Sequence, residues 1–253
     1  MTIDFGLTAE DYIRHRMGFP ESFFDQLAAR GIGLAGQALI DLGTGTGTLA
    51  RGFARRGCRV IGVDPAAALL EQAQQIGARE GAPAEYRVGT AEATGLPDAC
   101  ADVVTAGQCW HWFDRPAAAR EVARILRPGG VLVIAHFDWI PLHGNVVEAT
   151  EQLILKHNPA WQLGGGSGLY PQWLRDLGEA RFHDLATFSY DLFVPYTHVD
   201  WRGRIRASAG VGASLPPEQA AAFDGDLAEL LAAHFPQSML QVHHRVWAVV
   251  GHY

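Results

Sequence analysis

The stretch Ala38-Leu39-Ile40-Asp41-Leu42-Gly43-Thr44-Gly45-Thr46-Gly47 constrains this chain more than any other. An apolar run closed by an acid meets glycines at every second position, and a helical pattern follows. Glycine lets the backbone turn with positive φ and lets a ligand approach without a Cβ in the way. The pattern predicts a strand over Ala38–Asp41, a sharp turn, and a helix over Thr46–Arg56. The free N–H groups and dipole of that helix end favour an anion.

The same alternation continues to about residue 137. Val60–Asp64, Ala84–Val88, Asp102–Ala106 and Val131–Phe137 read as strands. Ala66–Gln75 and Pro116–Leu126 read as helices, the second stopped by Arg127-Pro128-Gly129-Gly130. Strands separated by helices of this length imply βαβ units, a parallel sheet and right-handed crossovers. Beyond residue 137 the pattern changes: a helix over Pro171–Glu179, a strand over Ala186–Val194, a long amphipathic helix over Pro217–Phe235, and a closing strand over Val242–Val250. Residues 8–30 read as one or two helices ahead of the sheet.

The glycines stand as GxGxG, whereas the dinucleotide fingerprint is GxGxxG. Asp41, two positions before Gly43, is placed to anchor an ammonium, directly or through water. Asp64 closes the second strand about twenty residues on, where a carboxylate accepts both hydroxyls of a ribose; Pro65 follows it in the first turn of the next helix. Gly89–Pro97, after the third strand, suits an adenine ring: the Ala91 N–H for one ring nitrogen, Thr90 or Glu92 as acceptor for the amino group. Together with Gly43, Thr44, Gly45 and Gly47, these residues describe a site for S-adenosyl-L-methionine, whose product is S-adenosyl-L-homocysteine.

With these residues in place, the chain resembles the class I S-adenosylmethionine-dependent methyltransferases of the "type 11" group. Ile40–Gly47, Val60–Asp64, Thr90–Pro97, Gln108–Asp114 and Ile125–Ile134 carry the resemblance. It implies an α/β, Rossmann-like fold: a seven-stranded, mostly parallel sheet of order 3-2-1-4-5-7-6, strand seven antiparallel, with helices on both faces and a helical lid. It implies a single methyltransferase domain over 1–253, with N-terminal cap helices in 1–30, a donor-binding core in 38–137 and acceptor lid insertions in 138–170 and 195–235. One departure is Thr90, where many relatives carry aspartate.

The fourth strand ends in Gln108-Cys109-Trp110-His111-Trp112-Phe113-Asp114. In the family this tip lies beside the reactive methyl. Gln108 is expected to meet the donor through its backbone. His111 is either a general base or part of a structural turn. Trp110 and Trp112 either wall the methyl group or pack in the core; Trp139 and Trp201 are the corresponding candidates farther along. Tyr12 and Arg16, four apart on one helix face, belong to an entry segment where Arg16 either holds a carboxylate or is solvated. The tip lacks the Asn/Asp-Pro-Pro-Tyr/Phe signature of enzymes that methylate planar amino groups.

A net charge of −7, with a single lysine and no basic block, disfavours a nucleic-acid acceptor. No run approaches the ~20 apolar residues that span a bilayer. No metal-ligand spacing stands out among the eleven histidines, and the side chains of His243 and His244 would point to opposite faces of a strand. The expectation is a cytoplasmic enzyme that transfers a methyl group to a small-molecule acceptor, without a metal, a nucleic-acid partner or a membrane. The competing readings are an NAD(P)-dependent oxidoreductase and a donor-binding protein without transferase activity. Neither the acceptor nor the oligomeric state is legible.

Overall fold

The computed structural model describes residues 18–253. They fall into two compact units. The sheet unit holds residues 18–137, 170–189 and 246–253, and the helical unit holds 138–169 and 190–245. Tyr12 and Arg16 lie outside the described residues, as does most of the expected N-terminal cap.

In the sheet unit, α1 (Glu21–Ala28) precedes β1 (Ala38–Leu42), α2 (Thr48–Arg55), β2 (Arg59–Asp64), α3 (Ala67–Glu80), β3 (Glu85–Val88) and β4 (Ala101–Gly107). A single 3-10 turn (Trp110–Trp112) leads to α4 (Arg115–Ile125) and β5 (Leu126–Trp139). The unit is completed by α6 (Gln172–Glu179), which follows α5 of the helical unit, and by parts of β6 (His183–Tyr196) and β7 (Leu240–His252). The sheet order is 3-2-1-4-5-7-6, with strand seven antiparallel. β1 pairs in parallel with both β2 and β4. Its residues 39–42 are buried whichever face they point to, which is why its sequence is nearly continuous hydrocarbon.

Most element ends follow local chemistry. Gly47 caps α2 with φ +78°. Gly81 ends α3 at φ +64°. Asp114 caps α4 by accepting from the Ala117 N–H, with Pro116 in the first turn. Two expected bounds shift. α3 runs on from Gln75 to Glu80, because Gly77 is buried inside it where a Cβ would stand 3.0 Å from the Ala82 carbonyl oxygen. β5 begins at Leu126 rather than Val131. Leu126 pairs with Ala101, the Arg127–Gly130 run bulges out, and pairing resumes at Val131 opposite Val103.

The helical unit contains α5 (Val146–His157), α7 (His198–Arg206) and α8 (Pro217–His234). Asn145 caps α5 by accepting from the Glu148 N–H (2.8 Å), while Glu148 accepts from the Gly144 N–H (2.7 Å). Thr197 caps α7 in the same manner, from the Asp200 N–H. α8 buries Phe223, Leu227 and Leu231. Asp224 on α8 takes Arg202 and Arg206 of α7. Arg202 and Arg206 are therefore both already paired with a carboxylate. Among the described residues, no helix is long and apolar enough to cross a membrane.

Candidate functional site

The three glycines of the β1–α2 turn all have positive φ: +59° at Gly43, +53° at Gly45 and +78° at Gly47. Their surroundings differ. A Cβ on Gly43 would stand 2.9 Å from both Cβ and Sγ of Cys109, and one on Gly47 would stand 2.5 Å from the Tyr86 hydroxyl. At Gly45 a Cβ would meet no atom of the described residues within 4 Å. Gly43 and Gly47 are thus required by the protein's own packing. Gly45 leaves its backbone open to whatever binds there.

Asp64 ties the two strand tips together. Its Oδ2 accepts from the Gly45 N–H (2.9 Å) and its Oδ1 from the Ala66 N–H (2.9 Å). A carboxylate has about four acceptor positions, so each oxygen keeps one for a ligand hydroxyl. The carboxylate is 8% exposed.

Asp41 is deeper, at 2% exposure. Its two oxygens accept from the hydroxyls of Thr44 (2.6 Å) and Thr105 (2.7 Å). Burial pushes its carboxyl up to about 6, against the opposing pull of those two hydroxyls. Asp41 therefore acts first as a brace between β1, the glycine turn and β4. Thr105 is a site residue that sequence reasoning missed, because its partner lies 64 positions away.

The β3–β4 connection closes the same end of the sheet. Thr90 is exposed and bridges to Ala93, and Ala91 is buried. Glu92 Oε1 accepts from the Asp114 N–H (2.9 Å), which fastens this connection to the turn after β4. Glu121 on α4 anchors it from below. Its carboxylate accepts from the Thr94 N–H (2.9 Å) and the Thr94 hydroxyl (2.5 Å), and holds Arg124. The Arg124 guanidinium, aided by Thr94, holds the Glu121 carboxyl down at about 2. Nothing local in the sequence marks Glu121 for this task.

At the tip of β4, Gln108 has φ +59°, rare outside glycine. The conformation is held from β5: the Gln108 N–H donates to the Ala135 carbonyl (2.8 Å), and its side-chain amide donates to that of Phe137. Trp110 is fully buried and donates its indole N–H to Asp176 (3.1 Å), which also holds Arg115. Of the two readings open for Trp110, the core position is the one the structure adopts. Trp112 is 48% exposed. The exposed His111 ring lies against it, centroids 4.4 Å apart, and 5.5 Å from buried His136.

In the helical unit, Trp201 is fully buried and donates to Thr150 (3.0 Å). Trp139 is half-buried. Its indole N–H donates to Glu151 (2.8 Å), and the Arg204 guanidinium lies 4.7 Å over its ring. The second Glu151 oxygen accepts from the Gly165 N–H (2.7 Å), so this buried carboxylate holds the glycine run 164–168. His243 and His244 do face opposite ways. His243 meets Asp191 (2.8 Å), whereas His244 is 3% exposed and burial lowers its pKa to about 4. Among the described residues, no group of three or more His, Cys, Asp or Glu side chains is placed to hold a metal ion.

Residues 40–134 match the family described as "Methyltransferase domain". An uncharacterized methyltransferase of Mycobacterium bovis is 38% identical over 133 residues, which are 52% of this chain and 51% of that protein. The chain spans about half the length of the curated relatives it matches. Among solved structures, the YcgJ protein of Bacillus subtilis superposes with a TM-score of 0.54 at 21% identity, over 87% of this chain and 92% of that one. A geranyl diphosphate methyltransferase, solved in complex with S-adenosylmethionine, superposes with a TM-score of 0.51 at 19% identity, over 92% and 85%. At such identities the structural likeness is one of fold.

Proposed function

We propose that this chain, whose residues 40–134 match the methyltransferase-domain family, transfers the methyl group of S-adenosylmethionine to a small-molecule acceptor. The observation that carries the reading is the bond from the Gly45 N–H to Asp64. It joins the glycine turn and the ribose-type acid in one site, beside a glycine whose missing side chain would meet none of the described residues. The residues fit the donor's chemistry. Asp64 has acceptor positions left for two ribose hydroxyls, and Pro65 shapes the backbone beyond it. The α2 N-terminus, reached through Gly43, Thr44, Gly45 and Gly47, offers N–H groups to a carboxylate. Thr90 and the Ala91 N–H suit an adenine edge. Glu92 already holds Asp114, which favours Thr90 for the amino group. The left-handed backbone of Gln108 lies at the same end of the sheet. On the sequence reading, Tyr12 and Arg16 complete the donor's cover.

The donor's sulfonium supplies a methyl group already activated by positive charge. The remaining work is to align the acceptor and exclude water. We assign His111, exposed at the β4 tip, to proton removal where the acceptor needs it. Trp112 beside it is assigned to the acceptor's apolar surface. Trp139 is assigned to the acceptor from the sequence, and Trp110 and Trp201 to support from the core. A cytoplasmic setting suits three cysteines that form no disulfide with one another.

The test is calorimetric titration with S-adenosylhomocysteine, beside Asp64→Ala. Binding in the micromolar range, roughly −8 kcal/mol, that is lost in the variant supports the donor site. Binding of NAD without binding of S-adenosylhomocysteine would sink it.

A further inference from the structure

Three of the crossovers among β1–β5 carry a helix: α2, α3 and α4. The fourth, residues 89–100 between β3 and β4, carries none. In a parallel sheet the crossover helices are what cover the faces. Here the helix-free connection itself covers the face at Ile40 through Leu96, and an open cavity is left beside it. Alternate residues of three strands share that face: Ala38 and Ile40 on β1, Arg59 and Ile61 on β2, Glu85 and Arg87 on β3. The register Ala38↔Arg59, Ile40↔Ile61 and Ile61↔Glu85 aligns them in rows.

These residues line an open cavity of about 690 Å³. Buried Ile40 and Leu96 lie behind its lining, and the accessible apolar surface is that of Ile61, Pro83, Ala84 and Pro97. It lies toward the amino ends of the strands, away from the glycine turn and Asp64 at their carboxyl ends, and none of Gly43, Gly45, Asp64, Thr90 or Ala91 lines it. The volume falls in the range of small-molecule pockets, ~300–1,000 Å³.

The charge around it is the second observation. Three guanidinium groups line the cavity, Arg59, Arg87 and Arg127, on a chain whose net charge is −7. Arg87 is paired with Glu85 (2.6 Å) and Arg127 with Asp102. Arg59 feels Asp102 only at longer range. Among the described residues, no carboxylate lies within salt-bridge distance of it. An apolar lining beside an arginine with unused donors matches one kind of ligand.

We propose that this cavity binds an amphipathic organic anion, its apolar body on Ile61, Pro83 and Pro97 and its acidic head on Arg59. The site is independent of methyl transfer and stands whether or not the donor reading does.

The experiment is a fluorescence titration of the full chain with 8-anilinonaphthalene-1-sulfonate, followed by displacement with decanoate and, separately, with decanol. Two variants accompany it. Arg59→Glu reverses the charge at an exposed position. Ala84→Trp puts a large ring into the lining at a half-exposed one. Far-UV circular dichroism checks that both fold. Expected are one saturable site, a Kd raised about tenfold by Arg59→Glu, loss of the site in Ala84→Trp, and displacement by decanoate but not by decanol or S-adenosylhomocysteine. Equal affinity in all three proteins overturns the proposal. So does displacement by S-adenosylhomocysteine, or displacement by decanol as effective as by decanoate. If a variant does not fold, Arg59→Gln replaces it, and an unchanged Kd there also overturns the assignment.

Discussion

Asp41→Asn separates the two roles of the buried acid. With its ordinary value of 3.8 raised to about 6 by burial, ionising Asp41 costs more in the folded chain than in the unfolded one. At ~1.36 kcal/mol per pH unit, the difference is about 3 kcal/mol. The sign follows from the direction. A carboxyl whose folded pKa is raised contributes fully below pH 3.8, and that contribution is lost as pH rises through 6. Asparagine imitates the protonated acid. Its oxygen accepts from one threonine hydroxyl and its NH₂ donates to the other, once those hydroxyls rotate. The stability of Asp41→Asn relative to wild type should therefore grow by about 3 kcal/mol from pH 3.5 to pH 8, roughly half of it between pH 5 and 8. Urea unfolding across that range, without ligand, measures it, and the other titrating groups cancel in the difference. Parallel pH profiles for the two proteins would refute the claim that Asp41 ionises at a cost. In the same series, if Asp41 anchors the donor's ammonium as the sequence suggests, S-adenosylhomocysteine should bind the variant more weakly at pH 8 than wild type.

Other outcomes follow from single contacts. Gly43→Ala should lower stability by about 1–3 kcal/mol, from the 2.9 Å approach to Cys109 and the positive φ together. Gly45→Ala should cost only about 1 kcal/mol yet abolish S-adenosylhomocysteine binding; thermal melts beside calorimetry distinguish the pair. Glu121→Gln should destabilise by about 1–3 kcal/mol at pH 7 and weaken donor binding. Since the Glu121 carboxyl is held at about 2, wild type should lose this advantage as pH falls from about 4.5 toward 2. Glu151→Ala should free the 164–168 run, read as faster amide exchange at Gly165, because that N–H loses its acceptor. If His111 is the base, His111→Ala should cut kcat at least ~100-fold with a hydroxyl acceptor; near-normal turnover removes that role.

Much of this molecule was legible because its signals are short-range. An apolar run buried on both faces declares β1, and alternating glycines declare the turn, since only residues free to adopt positive φ close it. Pro116 stands in the first turn of α4, a helix the pattern announces, whereas α5, capped by Asn145, is not among the elements the pattern predicts. The resemblance carried the strand order, which periodicity alone does not set. Other features were decided by which strands lie side by side. Asp64 reaches Gly45 across 19 residues, Thr105 reaches Asp41 across 64, and Asp176 reaches Trp110 across 66. No window along the chain contains both ends of such bonds. The tryptophans make the point most sharply. Trp110, Trp112, Trp139 and Trp201 are identical in sequence terms. Yet Trp110 and Trp201 are sealed with their indole N–H groups satisfied, Trp112 is half open, and Trp139 is held by Glu151. Burial depends on what packs against a side chain, and that neighbour comes from a distant part of the chain.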